Sequence, residues 1–297
     1  MLTVFGSVAL DTIRTPTRIL RNTLGGAATY AAISASFFER PGLVAVVGYD
    51  FPNQYQSILD RFADTRGVVR AHGKTFRYDG SYDQTLTYRT TNKTELNVLK
   101  NFKPVVPEQY RKSQFVYLAN NDPAQNVKIL REFDKVKFSM CDTIEFWIST
   151  RRNDVIKMMS RVDSVVINDE EAKLLTKTHN LIIAARKIME WGTKYVIIKK
   201  GEHGSLLFYD DIVFPSPAFS MENIVDPTGA GDSFAGGMIG YLSSKNSTKL
   251  STIKEASVYG NIMGSFAVEN YGVYGITRLE RSIIRKRFNR YRKMVHF

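Results

Sequence analysis

The sequence predicts an α/β protein, a doubly wound and mostly parallel sheet with a small antiparallel β unit outside it. Three observations carry that expectation. Short apolar runs alternate with helix-like segments along most of the 297 residues, the rhythm of a sheet built from βαβ crossovers. Residues 74–99 break the rhythm with stretches rich in Thr and aromatics, which read as a hairpin beside the main core. One glycine-rich stretch, Asp226-Pro-Thr-Gly-Ala-Gly-Asp-Ser-Phe-Ala-Gly-Gly237, joins an extended run (212–224) to a helical one (233–242). The whole chain, 1–297, is long enough for one large domain with a sizeable core.

Taken in order, 2–8 reads as a first strand and not as a signal peptide, since it lacks a basic flank and a cleavage site. Asp11 ends an apolar run, where open α/β sheets place ligand-binding side chains. Gly25-Gly26 then opens a helix of small residues reaching Phe38, and two glycines there let a ligand sit against the backbone. A strand is expected over 43–47, a helix from Pro52 to about 63, and a strand over 67–70. The runs 75–78 and 84–91 flank Asp79-Gly80-Ser81, read as the hairpin turn, and with 12–23 they would form the small antiparallel sheet.

The α/β rhythm resumes with a strand over 115–119, a helix over 123–133 and a strand over 136–140. Asn120, Asp142 and Trp147 lie just past strand ends, on the side of a ligand crevice. Loop polarity alone would explain the first two, and Trp147 also reads as core. The strand 164–167 leads into Asn168-Asp-Glu-Glu171, whose carboxylates suit a helix N-terminus. A helix over 180–191 and a strand over 194–199 follow, ending in Lys199-Lys200-Gly201. The segment 256–268 reads as a helix dense in small residues, with Gly260 and Gly264 allowing close approach.

Composition narrows the class. Hydrophobic content of 43% and charged content of 24% are ordinary for a globular protein, and no apolar run reaches the ~18 residues of a membrane span. Cys141 is the only cysteine, which excludes an intramolecular disulfide and suggests a reducing, cytoplasmic setting. The four histidines are scattered without metal-ligand spacing, so no zinc site is expected. Net charge is +12, with a basic segment at 278–293. A solvated helix face accounts for that segment, and nucleic acid is not the expected partner.

The chemistry sits in the glycine-rich stretch. Gly229, Ala230 and Gly231 carry almost no side chain, so their amides can approach an anion at a helix N-terminus. Asp232 adds a carboxylate able to accept a hydroxyl proton. An anion cradle plus a base suits phosphoryl transfer to an alcohol. The string from Asp226 to Gly237 closely resembles the second signature of the PfkB (ribokinase-like) carbohydrate kinase family, and Gly25-Gly26 resembles its first. Neither a Walker A pattern nor the protein-kinase motif set is present.

The resemblance runs from Leu2 to about Gly275 and implies a ribokinase-like fold whose small sheet (about 12–23 and 74–99) is a lid. It implies ATP and Mg²⁺, with a monovalent cation beside the loop as a further family trait. Asp11, Gly25, Gly26, Tyr30, Asn120 and Asp142 would face the phosphoryl acceptor. Asn168, Glu171, Lys199, Gly201, Thr228, Asn261 and Gly264 would face the nucleotide, with Glu171 reaching the metal through water. Tyr30 stands where most members carry asparagine, and Lys199 where a hydroxyl is usual. The expected reaction moves the γ-phosphoryl group of ATP to a hydroxyl of a sugar or sugar-like polyol. Tyr30, Tyr82 and Trp147 would instead suit a nucleoside by stacking on its base. A non-catalytic ligand sensor or nucleic-acid binder is a third reading, and a homodimer through the lid is a further expectation.

Overall fold

The structure, a computed structural model, describes residues 1–296. Its strands in chain order are β1 (Leu2–Phe5), β2 (Ala9–Arg14), β3 (Ile19–Gly25), β4 (Gly42–Gly48), β5 (Asp64–Ala71), β6 (Arg77–Tyr82), β7 (Arg89–Glu95), β8 (Phe115–Leu118), β9 (Phe138–Cys141), β10 (Ser164–Asn168), β11 (Tyr195–Lys199), β12 (Ser205–Tyr209) and β13 (Ile212–Ser216). Nine form a large sheet in the order β13-β12-β11-β10-β9-β8-β1-β4-β5. Pairing is parallel from β11 through β5, and β12 and β13 add antiparallel at one edge. Strands β1, β4, β8 and β9 are buried along their whole length, because helices cover both faces. Such strands appear in sequence as apolar runs without alternation. The chain leaves β1 for β4 and β5 on one side and returns to β8 on the other. Strand order therefore reverses at β1/β8, and the crevice beyond the strand C-termini there is where such sheets bind ligands.

The remaining strands form a separate sheet in the order β3-β2-β6-β7. It consists of two antiparallel hairpins, β2–β3 and β6–β7, joined along a parallel seam that pairs Thr12 with Asp79 and Ile13 with Gly80. The second hairpin turns later than the sequence suggests. Asp79, Gly80 and Ser81 lie inside β6, where Arg14 Nη2 donates to Asp79 at 2.9 Å and Asn92 Nδ2 at 2.8 Å. The turn belongs to 83–88 instead. Asp83 Oδ1 accepts the amides of Thr87 and Tyr88, each at 3.0 Å, and Leu86 takes a left-handed φ of 59°. An aspartate that collects backbone amides makes a turn, whereas one claimed by an arginine across the sheet does not.

Helices Ala27–Ser36, Ala230–Lys245 and Leu250–Ala267 pack on one face of the large sheet. Pro123–Leu130, Arg152–Met159 and Leu181–Glu190 cover the other. The extended run before the glycine-rich loop is shorter than expected, since β13 ends at Ser216. Part of the basic C-terminal helix, Arg281–Val295, is a clamp. Arg287 lies 3.5 Å from the Phe266 ring centre and donates to Ser265 Oγ at 2.9 Å, and the Tyr291 hydroxyl donates to Pro217 O at 2.9 Å. No helix among the described residues is long and apolar enough to cross a membrane.

The first helix and the loop helix meet backbone to backbone. A Cβ on Gly236 would sit 2.2 Å from the Ala31 carbonyl oxygen, and one on Gly240 would sit 2.7 Å from Ala35 Cα. Ser34 Oγ also donates across the contact to Ser233 O at 2.6 Å. Gly236→Ala places a methyl group against a backbone that cannot rotate away. It should cost about 1–3 kcal/mol, the usual range for overpacking, read as a lower urea midpoint at unchanged m-value.

Candidate active site

The loop before the helix Ala230–Lys245 is shaped by Asp226, which is fully buried. Its Oδ1 accepts the Thr228 amide at 2.9 Å and its Oδ2 accepts the Gly272 amide at 2.8 Å, so one carboxylate fixes both the loop and the segment opposite. Gly229 then adopts a φ of 75°, a conformation that favours glycine. A Cβ at Gly229 would also lie 2.3 Å from the Tyr30 ring, which underlies the loop. The Ala230 amide does not point outward with its neighbours, because it donates to Pro227 O at 3.2 Å. The amides of Gly229, Gly231 and Asp232 have no intramolecular acceptor among the described residues. The amides left free at this helix start are therefore those of Gly229, Gly231 and Asp232, whereas the Ala230 amide is used within the loop.

Asp232 stands in the first turn of that helix, partly open to the crevice. Burial, followed by the charge of Asp142, raises its pKa to about 6 against the opposing pull of Lys199 and Arg89. It is thus a carboxylate that can take a proton near neutral pH.

On the other side, Asp11 lies in β2 against the glycine pair. A Cβ on Gly25 would fall 1.9 Å from Asp11 Oδ2, so only glycine leaves room for the carboxylate. Gly26 has a φ of 92°, and a Cβ there would lie 2.5 Å from Ser7 O. Asp11 is buried and its Oδ1 has no hydrogen-bond partner among the described residues. Burial raises its pKa to about 7, opposed by a hydrogen bond from the Gly26 backbone and reinforced by the charge of Asp232. A buried carboxylate with an unused oxygen can still accept a hydrogen bond.

The third group lies at the ends of β9, β10 and β11. Lys199 Nζ pairs with Asp142 Oδ2 at 2.8 Å, with side chains 14% and 5% exposed. That ammonium would stand 3.0 Å from a Cβ on Gly231, which places it over the cradle. Although burial works against its charge, Asp142 and Glu171 hold the Lys199 pKa above its ordinary value. Asn168 and Glu171 form a reciprocal cap: Asn168 Oδ1 accepts the Glu171 amide at 2.7 Å, and Glu171 Oε2 accepts the Asn168 amide at 3.1 Å. Burial, then Asp142, pushes the Glu171 carboxyl above the usual range. One Glu171 oxygen remains outside the cap, and no cluster of three or more metal-ligating side chains occurs among the described residues. This donor set fits a magnesium ion reached through water and not a protein cage.

Other sequence candidates lie elsewhere. Tyr30 is 1% exposed and supports Gly229 from beneath, so it offers no face to a ligand. Trp147 is also core, packed edge-on against Phe146 at 4.8 Å. Asn261 spends its amide on Ser216 Oγ (2.8 Å), Ser216 O (3.1 Å) and Ser205 Oγ (3.2 Å), tying β12 and β13 to the helix. Gly264 serves helix packing, since a Cβ there would lie 3.3 Å from Ala230 O. Asn120, at the end of β8, keeps an unpartnered Oδ1, and Gly201 borders open space. Thr228 Oγ1 donates to the Tyr82 hydroxyl at 3.2 Å, which brings the small sheet onto the loop. Sequence reasoning missed Arg89, in β7. Its only sequence signal was a basic residue in a hairpin rich in Thr, and it became visible only once the turn moved to 83–88. Two surface hollows, around Arg40 and Tyr110 and around Lys100 and Lys128, share none of these residues.

Comparison with known proteins shows the family of the chain. Residues 1–278 match the family described as pfkB family carbohydrate kinase. The cytidine kinase of Thermococcus kodakarensis is 33% identical over 250 residues, covering 80% of this chain and 87% of that protein. The inositol 3-kinase of Arabidopsis thaliana is 24% identical, covering 91% and 74% respectively. A solved structure of the Burkholderia thailandensis nucleoside kinase in complex with inosine superposes with a TM-score of 0.78 at 17% identity, covering 98% of each chain. With the reversed strand order, the separate small sheet and the glycine-aspartate loop all in place, the chain belongs to the pfkB carbohydrate kinase family and is a phosphotransferase with a hydroxyl group as acceptor.

Proposed function

We propose that the chain transfers the γ-phosphoryl group of ATP to a primary hydroxyl of a nucleoside, ahead of a free sugar or polyol. The observation that carries the reaction is the convergence of Asp11, Asp232 and the cradle at one crevice. The acceptor hydroxyl gives its proton to Asp232 as its oxygen bonds to the γ-phosphorus. The bond from that phosphorus to the β–γ bridging oxygen breaks, and its electron pair leaves with ADP. Amides of Gly229, Gly231 and Asp232 stabilise charge on the moving group, and Lys199 adds a fixed positive charge beside them. Magnesium, when bound, offsets the charge of the phosphates, and Asn168 and Glu171 would hold it through water. Asp11 orients the acceptor through its unused oxygen, with Gly25 and Gly26 leaving space for the sugar ring.

The preference for a nucleoside rests on the small sheet, which we read as the lid. Asp11, Tyr78 and Tyr82 lie on one of its faces by strand register. Two phenol rings beside a hydroxyl-binding carboxylate suit a ribose carrying a flat base. The 33% identity to a cytidine kinase supports the same choice. A chain whose one cysteine is buried fits a reducing compartment such as the cytoplasm.

Three measurements test this reading. Purified protein with Mg·ATP and a panel of nucleosides, pentoses, hexoses and inositols should consume ATP fastest with a nucleoside, and a preference for a free sugar would overturn the acceptor assignment. Asp232→Asn should lower kcat by at least about 10²-fold, the lower end expected for a positioned base, while ATP affinity measured by calorimetry stays within threefold. The pH profile should follow Asp232. Its folded pKa is raised to about 6 and the base works only when ionised, so kcat/KM should fall about tenfold per pH unit below that point. Asp142→Asn removes the neighbouring negative charge, so this acidic limb should move to lower pH.

A further inference from the structure

Arg89 is the feature of the site that neither capping, packing nor the cradle explains. It opens β7 and pairs in register with Tyr82, so the two side chains share a face of the lid. Directly opposed residues in such a pair stand about 5 Å apart at Cβ. Tyr82 touches Thr228 of the anion loop at 3.2 Å, which fixes where that face points. Parallel pairing of Thr12 with Asp79 places Asp11 beside Tyr78 on the same face. Arg89 thus lies over the crevice, between the acceptor carboxylate and the loop.

Three other basic side chains of the small sheet, or at its edge, are paired. Arg14 binds Asp79 at 2.9 Å, Arg77 binds Asp50 at 2.9 Å and Lys93 binds Glu95 at 3.1 Å. Arg89 has no ion pair or hydrogen bond among the described residues and only rests over the Tyr78 ring, 5.5 Å from its centre. Its charge nevertheless reaches the site, because it lowers the pKa values of Asp11, Glu171 and Asp232. Arg89 is an exposed guanidinium without a partner, on the face of the small sheet that Tyr82 turns toward the anion loop, and it has the donor fork that matches a phosphoryl group. Lys199 approaches the same cradle from the large sheet, over Gly231.

We propose that Arg89 is a catalytic residue carried by the lid, gripping the transferred phosphoryl group from the face opposite Lys199. The inference rests on the kinase reading above. As the bond to the bridging oxygen breaks and the bond to the acceptor oxygen forms, negative charge spreads over the non-bridging oxygens, and Arg89 donates to them. Asp232 still takes the acceptor proton. Because Arg89 arrives with the lid, the second cation of the site is in place only when the lid lies over the loop.

The test compares wild type, Arg89→Ala and Arg89→Lys with Mg·ATP and the best acceptor from the panel. Arg89→Ala should lower kcat about 10²-fold, the scale of a lost donor to developing charge, with KM for the acceptor within threefold. Arg89→Lys should recover only a small part, since a point charge lacks the fork. Added guanidinium should partly restore Arg89→Ala but not Arg89→Lys, and melting temperatures should match wild type; a purely structural role predicts neither result. A kcat within threefold of wild type, or a loss confined to the acceptor KM, overturns the proposal. Wild type that forms no phosphorylated product with any acceptor overturns the kinase reading instead, so the two failures are told apart.

Discussion

Negative charge is the constraint on which this molecule is built. Asp11, Asp142, Glu171 and Asp232 face one crevice, and the expected ligand brings a polyphosphate to it. Asp11, Asp142 and Glu171 are buried and Asp232 is half-buried, and a buried anion is tolerated only with a partner or by taking up a proton. The chain uses both solutions. Asp142 is neutralised by Lys199 at 2.8 Å. Asp11 and Asp232 instead stand with raised pKa values, about 7 and about 6, poised between two protonation states. Lys199 is the hinge of the arrangement, because it binds Asp142 and also stands over the Gly231 end of the cradle.

Geometry is enforced by a second device, the backbone contact between the first helix and the loop helix. The first helix starts at the acceptor glycines, Gly25-Gly26, and its Tyr30 lies under Gly229. The loop helix starts at the cradle and meets the first helix again at Gly236 and Gly240. Gly25-Gly26 and the glycine-aspartate loop are therefore spaced by one closely packed pair of helices. This explains why the glycines of the loop stretch serve two purposes. Gly229 and Gly231 make room for an anion and a lysine, whereas Gly236 and Gly240 make room for another helix.

Much of this was legible in the sequence. Fully buried strands announce themselves as apolar runs, so the α/β alternation could be read almost strand by strand. The helix start at Asn168 and Glu171 could be read because their reciprocal cap is local, as is the contact of Asp226 with the Thr228 amide. What escaped notice was decided at long range. Asp79-Gly80 looks like a turn until Arg14, from another hairpin, claims the aspartate. Tyr30 looks like a ligand contact until Gly229 is seen lying on it. Ala230 looks like a cradle amide until Pro227 O accepts its hydrogen. Asn261 could have served a ligand, but two serines on neighbouring strands use its amide first. Arg89 shows in the sequence only as a basic residue in a hairpin rich in Thr, since the face it shares with Tyr82 depends on the pairing of β6 with β7.

The seam between β2 and β6 has a consequence for how acceptor choice can change. The small sheet is written in two stretches of chain, 9–25 and 77–95, each entered and left through the main body of the fold. Neither stretch is a portable module, because Thr12–Arg14 must match Asp79–Ser81 in register whatever the substrate. Exchanging a single hairpin with a relative would leave a mismatched seam over the crevice. Transplanting acceptor preference between such enzymes therefore calls for both hairpins at once, with the glycine-aspartate loop left as it stands.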